Sequence, residues 1–220
     1  LDFRNKADGY VCKADDVKRE LDRIGHALKP LDIVLVNTAA AAAYGQSKFA
    51  ETEALCREIL KALPDHVDAL HLLGMCAHDG RRLEEARELL ERVIALDPRL
   101  HDAHNNLATV HFDLGNFEEA RRCQERAIAL KPNFVVALTN LGNTLMHLGQ
   151  YEQALELHER AIKIKPDYAD AFCNRGMVEI VLGQIMRAKE SFDRALLFQP
   201  RHAEAIVGSS MVSMELRHHE

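Results

Sequence analysis

Pro30, Pro64, Pro98, Pro132, Pro166 and Pro200 account for every proline in the chain, and each stands 34 residues after the last. A fixed interval of that length marks a stacked repeat architecture in which each unit buries its apolar face against its neighbours. The clearest copy runs from Val135 to Tyr168, VVALTNLGNTLMHLGQYEQALELHERAIKIKPDY. A 220-residue chain built this way is one array and is not counted as ordinary compact domains.

Five units follow from this interval: 33–66, 67–100, 101–134, 135–168 and 169–202. Each holds two stretches with apolar residues at helical spacing, separated by a turn near the midpoint. Gly80, Gly115, Gly149 and Gly183 mark that turn, because glycine readily takes the left-handed conformation that ends a helix. In the first unit Gly45 comes two positions early, which predicts a longer Gly-Gln-Ser-Lys connection. Proline near the end of each unit stops the second helix, since it cannot donate the helical bond. No strand pattern occurs, so the fold class is all-α.

Residues 1–13 read as an irregular lead-in, and Val17, Leu21, Ile24 and Leu28 predict a helix over 14–29. RELDRIGHALKP ending at Pro30 echoes RELLERVIALDP ending at Pro98, so 1–32 reads as a lead-in with a capping or degenerate half-repeat. The segment 203–220 reads as the first helix of a sixth, incomplete repeat. A terminal unit needs a polar outer face, so the expectation is a piece of a longer protein.

Small residues recur where helices must approach closely. Counting each unit from its first residue, position 8 holds Ala40, Gly74, Ala108, Gly142 and Gly176, and position 20 holds Ala86, Ala120, Ala154 and Ala188. Larger residues at position 7 (Leu73, Leu107, Leu141) and position 17 (Phe49, Leu83, Phe117, Tyr151) fill the spaces between. Thr52 at position 20 and Arg175 at position 7 break the pattern and predict looser packing there.

NLGNTLMHLGQYEQALELHERAIKIKPDY and its tandem copies over 33–202 resemble the tetratricopeptide repeat (TPR). The resemblance implies a right-handed α-α superhelix, a TPR solenoid, whose first helices line a concave groove. It also implies binding of peptides or partner proteins without chemistry of the chain's own.

A net charge of -6 with no run of Lys and Arg argues against nucleic acid and anionic membrane as main partners. The five cysteines form no C-x-x-C pair, which points to a reducing, cytoplasmic setting rather than a disulfide framework or thiolate metal site. The apolar stretch Leu31–Ala43 is far short of the ~20 residues a spanning helix needs. Gly45-Gln-Ser-Lys48 lacks the glycine spacing of a phosphate loop, and His158-Glu159 is not followed by a second ligand histidine. His71 with Cys76 and His78, or His104 with His111, suggest a metal by composition, but His104 and His111 stand at positions 4 and 11, where the repeat places packing residues. No catalytic residue, metal or cofactor is expected, and the chain is read as no enzyme.

Two features remain as candidate binding sites. Asn106, Asn140 and Asn174 recur at position 6, where an amide could pair with successive peptide units of an extended ligand. The alternative is a structural amide bonding a neighbouring helix. This series resembles the ladder in the superhelical arm of O-linked N-acetylglucosamine transferases. The second feature is a stripe: Met75, Met146, Met177, Met211 and Met214 all fall at positions 9 or 12. With Phe112, Ile180, Val181 and Val207 they would make the C-terminal half of the groove apolar, and flexible methionine suits a surface that adapts to its partner. Packing between first helices is the alternative. The family's carboxylate clamp wants Lys at position 5; Asn143 and Asn174 supply its amides, but Thr139 stands where the Lys should.

The reading is a protein-interaction scaffold taking an extended peptide or partner helix at Asn106, Asn140, Asn174, Asn143, Phe112, Met146, Met177, Ile180 and Met211. The alternatives are the substrate-docking arm of a larger bacterial glycosyltransferase, and self-association through the incomplete last repeat.

Overall fold

The computed structural model describes residues 30–218, and the helix expected over 14–29 with its lead-in lies outside them. The described residues form eleven helices: α1 (Pro30–Gly45), α2 (Phe49–Ala62), α3 (Val67–Asp79), α4 (Leu83–Leu96), α5 (His101–Asp113), α6 (Phe117–Leu130), α7 (Val135–His147), α8 (Tyr151–Ile164), α9 (Ala169–Val181), α10 (Ile185–Phe198) and α11 (Ala203–His218). No strand occurs among them. The chain divides into two compact units, Leu1–Arg99 and Leu100–Glu220.

Proline sets the end of every second helix. Leu63, Asp97, Lys131, Lys165 and Gln199 each precede a proline, and all adopt φ between -130 and -137 with ψ between 88 and 92. The proline ring crowds the residue before it out of the helical region, so one chemical cause yields five copies of the same bend.

The midpoint turns differ from the expectation. The left-handed residue falls at position 15 in all five hairpins: Ser47 (φ 57), Arg81 (φ 59), Gly115 (φ 77), Gly149 (φ 75) and Gly183 (φ 71). Gly80 is not left-handed, having φ -78. The first turn is not longer either, because α1 runs through Gly45 and three residues remain before α2, as in the other hairpins. Two hydrogen bonds explain why the geometry repeats. The amide of Ser47 donates to Tyr44 O and that of Lys48 to Ala43 O, as Gly115 donates to Phe112 O and Asn116 to His111 O. This pair of backbone bonds, one nested inside the other, closes the helix end whichever side chain stands at the bend.

In the first unit Ile33, Val36, Leu55, Cys56, Ile59 and Leu73 form the core. Thr52 does not loosen it: the residue is fully buried, and its hydroxyl donates to Lys48 O at 3.1 Å. Polar ties run across the surface of this unit, from Asn37 to Asp68 at 3.1 Å and from the Tyr44 hydroxyl to Asp79 at 2.8 Å.

In the second unit the core follows a size rule. Position 24 of each second helix lies under position 8 of the first. A Cβ on Gly142 would come within 2.5 Å of the His158 ring, and one on Gly176 within 2.9 Å of Phe192. Glycine at position 8 therefore leaves room for the ring at position 24 in these two hairpins. An arginine at position 26 repeats across units: Arg92 donates to Pro64 O at 3.0 Å and Arg160 to Pro132 O at 2.6 Å. Each satisfies a carbonyl that the preceding bend leaves without an intrahelical partner.

Candidate partner-binding face

The first helices of the second unit, α5, α7, α9 and α11, carry the residues singled out from the sequence. Asn106, Asn140 and Asn174 are each partly buried at the same place on successive helices. Asn140 is engaged within the fold: its Nδ2 donates to Oδ1 of Asn105 at 3.1 Å. The fourth place in this row is Gly208, where a Cβ would collide with the Phe192 ring. The row of amides stops where an aromatic ring takes the space beside it.

The stripe is graded along the unit. Phe112 is partly buried and meets Phe117 and His147 edge-on, with ring centroids 5.3 and 4.9 Å apart. Met146 and Ile180 pack partly against the hydrophobic clusters around Leu145 and Phe192. Toward the C-terminal end the side chains open: Met177 is 40% exposed, Val181 53%, Val207 59%, Met211 52% and Met214 56%. Asn140, Asn143 and Phe112 are brought together with Thr109, Asp113 and Gln124 around one cavity of about 220 Å³. Asn105 and Gln124 were not singled out from the sequence. Gln124 had a visible signal, since it stands at a position otherwise held by Cys56, Leu90, His158 and Phe192, all of them buried.

Arg175 builds a polar network instead of leaving a gap. Its Nε donates to Ser191 Oγ at 3.0 Å and lies 3.6 Å from Glu179, and Ser191 in turn donates to Glu179. The guanidinium also sits over the Phe172 ring, 5.3 Å from its centroid. Burial holds the Glu179 carboxyl above the usual carboxylate range, against the lowering effect of Ser191 and Arg175. His158 shows the opposite case. Burial, with the charge of Arg175 adding to it, pushes its imidazole down to about 4, and neither ring nitrogen has a hydrogen-bond partner.

Burial pushes the thiols of Cys56 and Cys173 up to about 12 and that of Cys76 to about 11, which keeps them protonated and unreactive at neutral pH. Among the described residues no three His, Cys, Asp or Glu side chains group as a metal site. No helix among them is long and apolar enough to cross a membrane.

Four tetratricopeptide-repeat models match the chain, at residues 43–99, 101–134, 123–156 and 142–178. Together they span more than half of it, and the chain belongs to the tetratricopeptide-repeat family. Among solved structures it is similar to MamA, with 25% identity and a TM-score of 0.64 over 78% of this chain and 94% of that one. It is similar also to YrrB, a TPR protein with an unusual peptide-binding site (21% identity, TM-score 0.65, 90% and 99% covered). A third is TTC0263, a thermophilic TPR protein of Thermus thermophilus (16% identity, TM-score 0.70, 83% and 99% covered). The fold is the all-α TPR solenoid. No curated protein matches the chain significantly.

Proposed function

We propose that this TPR scaffold binds an extended peptide or a partner helix along the first helices of its second unit, α5, α7, α9 and α11, and that it catalyses nothing itself. The observation that carries the reading is the opening of the stripe: Met177, Val181, Val207, Met211 and Met214 are each at least 40% exposed on consecutive first helices. Apolar side chains gathered in this way mark interaction surfaces, and methionine adapts its shape to the partner. Binding energy would come from a few buried anchors, with the half-buried amides of Asn106 and Asn174 ordering the ligand backbone.

The test is selection of peptides from a random display library, followed by titration against the Met177→Glu/Met211→Glu double variant. Charge in the stripe should weaken the selected peptides by about a hundredfold, equivalent to one or two lost anchors. Equal binding by the double variant would show that these methionines serve packing alone. Changing Asn106, Asn140 and Asn174 together to Ala, with helical content followed by circular dichroism, tests the amides separately.

A further inference from the structure

Carboxylates frame the exposed apolar stripe of α9 and α11. Asp170 stands about two helical turns before Met177 and shares its face of α9, as Glu204 does with Met211 on α11. Glu215 follows Met211 about one turn later on that same face. The side chains of Asp170 and Glu204 are 50% and 76% exposed, and Glu215 is exposed as well. In sequence the two helices set Asp170, Glu179, Glu204 and Glu215 against Arg175 and Arg217. Arg175 and Glu179 neutralise each other in the buried network, which leaves three carboxylates against Arg217 alone. The intervening α10 has the opposite balance, with Arg187, Lys189 and Arg194 against Glu190 and Asp193.

The contacts that Asp170 and Glu204 already make do not cancel this charge. His202 Nε2 lies 3.0 Å from Asp170 and its Nδ1 3.2 Å from Glu204, and Tyr168 also hydrogen-bonds to Asp170. One imidazole between two carboxylates leaves a net negative charge even when protonated, and a hydroxyl brings none. The Cys173 thiol is held up by burial first and then by the charges of Glu204 and Asp170. First-turn carboxylates favour a helix through its dipole, which accounts for Asp170 and Glu204. Glu215 stands in the last turn of α11, where the dipole disfavours it, so helix stability does not explain its place.

The backbone of a ligand has needs of its own here. The row of amides at position 6 stops at Gly208, and Val207, Met211 and Met214 offer no strong donor or acceptor. An extended peptide laid over α11 would bury N–H and C=O groups without partners, whereas a helix satisfies its own. We propose that α9 and α11 receive a cationic amphipathic helix of a partner protein, a proposal that rests on the partner-binding reading above. Its apolar residues, recurring at helical spacing, seat on Met177, Val181, Val207, Met211 and Met214. Lys or Arg beside them meets the negative field of Asp170, Glu204 and Glu215. An acidic helix would meet like charge at both ends of the stripe on α11.

The experiment titrates the full chain into a fluorescent helical peptide built on the repeat Leu-Lys-Lys-Leu-Leu-Lys-Leu and follows its anisotropy. Two comparisons accompany it: the same peptide with Glu for Lys, and one of identical Leu and Lys content ordered without helical periodicity. The Lys helix should bind about tenfold more tightly than either, and its affinity should fall as salt rises. Glu215→Lys should weaken it severalfold and flatten the salt dependence, with the melting temperature unchanged or raised. Glu215→Gln, which keeps the shape, should give a smaller loss in the same direction. Equal binding by the Glu helix or by the aperiodic Lys peptide overturns the proposal, and the scaffold reading stands if displayed peptides are still selected. Failure of every peptide, displayed or synthetic, would count against the scaffold reading instead. A mass that rises with protein concentration in light scattering, and returns to one protomer in Met211→Glu, would assign the stripe to a second copy and likewise overturn the proposal.

Discussion

The hairpins α7–α8 and α9–α10 share backbone geometry, turn and bend, yet they place their polar atoms in opposite parts of the interior. In α7–α8, positions 7, 11 and 23 are Leu141, Leu145 and Leu157, and the residue under the glycine is His158. In α9–α10 those three positions become Arg175, Glu179 and Ser191, and the residue under the glycine is Phe192. The three leucines belong to one cluster that also takes in Ala154 and Val178. Their three replacements bond to one another, so the exchange works only as a set. The repeat backbone tolerates either solution because the constraint is local closure of the interior, whether by dispersion contacts or by mutually satisfied polar groups. His158 is the exception, a buried imidazole with no partner for either nitrogen.

The largest effect should follow from breaking the set. Arg175→Leu leaves Glu179, only 4% exposed, without its cation, and urea unfolding should show a loss of about 3 kcal/mol. Replacing Arg175, Glu179 and Ser191 together by the leucines of the neighbouring hairpin should restore stability or exceed it. A triple variant as unstable as the single one would mean that the two interiors are not interchangeable.

His158 gives the next effect, through pH. Its folded pKa of about 4 lies below the usual 6.5, so the unfolded chain binds the proton more readily between those values. The stabilising contribution of the neutral ring is fully present above pH 6.5 and is lost as pH falls toward 4, amounting to about 3 kcal/mol. His158→Leu, which copies the pairing of Leu90 with Gly74, should remove that part of the acid sensitivity. An unchanged stability-pH profile would show that the ring is solvated. Glu179, with its pKa raised, acts in the opposite direction in the same range, so the difference between variant and wild type is the quantity to measure.

The smallest of the three concerns the close approach itself. Gly142→Ala places a methyl group 2.5 Å from the His158 ring and should cost about 2 kcal/mol by overpacking. Combined with His158→Leu the cost should shrink, because the branched chain can turn aside. Additive losses in the double variant would separate the two positions.

Much of this architecture could be read from the sequence because its causes are local. Proline forces the residue before it out of the helix, so the second-helix ends follow from Pro64, Pro98, Pro132, Pro166 and Pro200 alone. The midpoint turn was less legible: glycine pointed to the left-handed site in three hairpins, but Ser47 and Arg81 take it in the other two. Three residues and two backbone bonds fix that bend, and glycine merely eases it. Placing Asn140 on a first helix needed only the period. Its bond to Asn105 depends on a helix 35 residues away in sequence. The burial of Gln124 was legible from its place in the repeat, but its unpartnered oxygen and the Arg175 network were hidden, since whether a polar side chain is paired depends on distant neighbours.

Phe192 lies with its ring against two bare backbones, Gly176 on α9 and Gly208 on α11. Its helices thus resemble teeth cut to one key rather than standard bricks. Moving the α9–α10 hairpin alone would leave Gly208 behind and set a residue with a side chain against the Phe192 ring. Lengthening or reordering such an array would therefore need the ring and both glycines carried along as one inherited block.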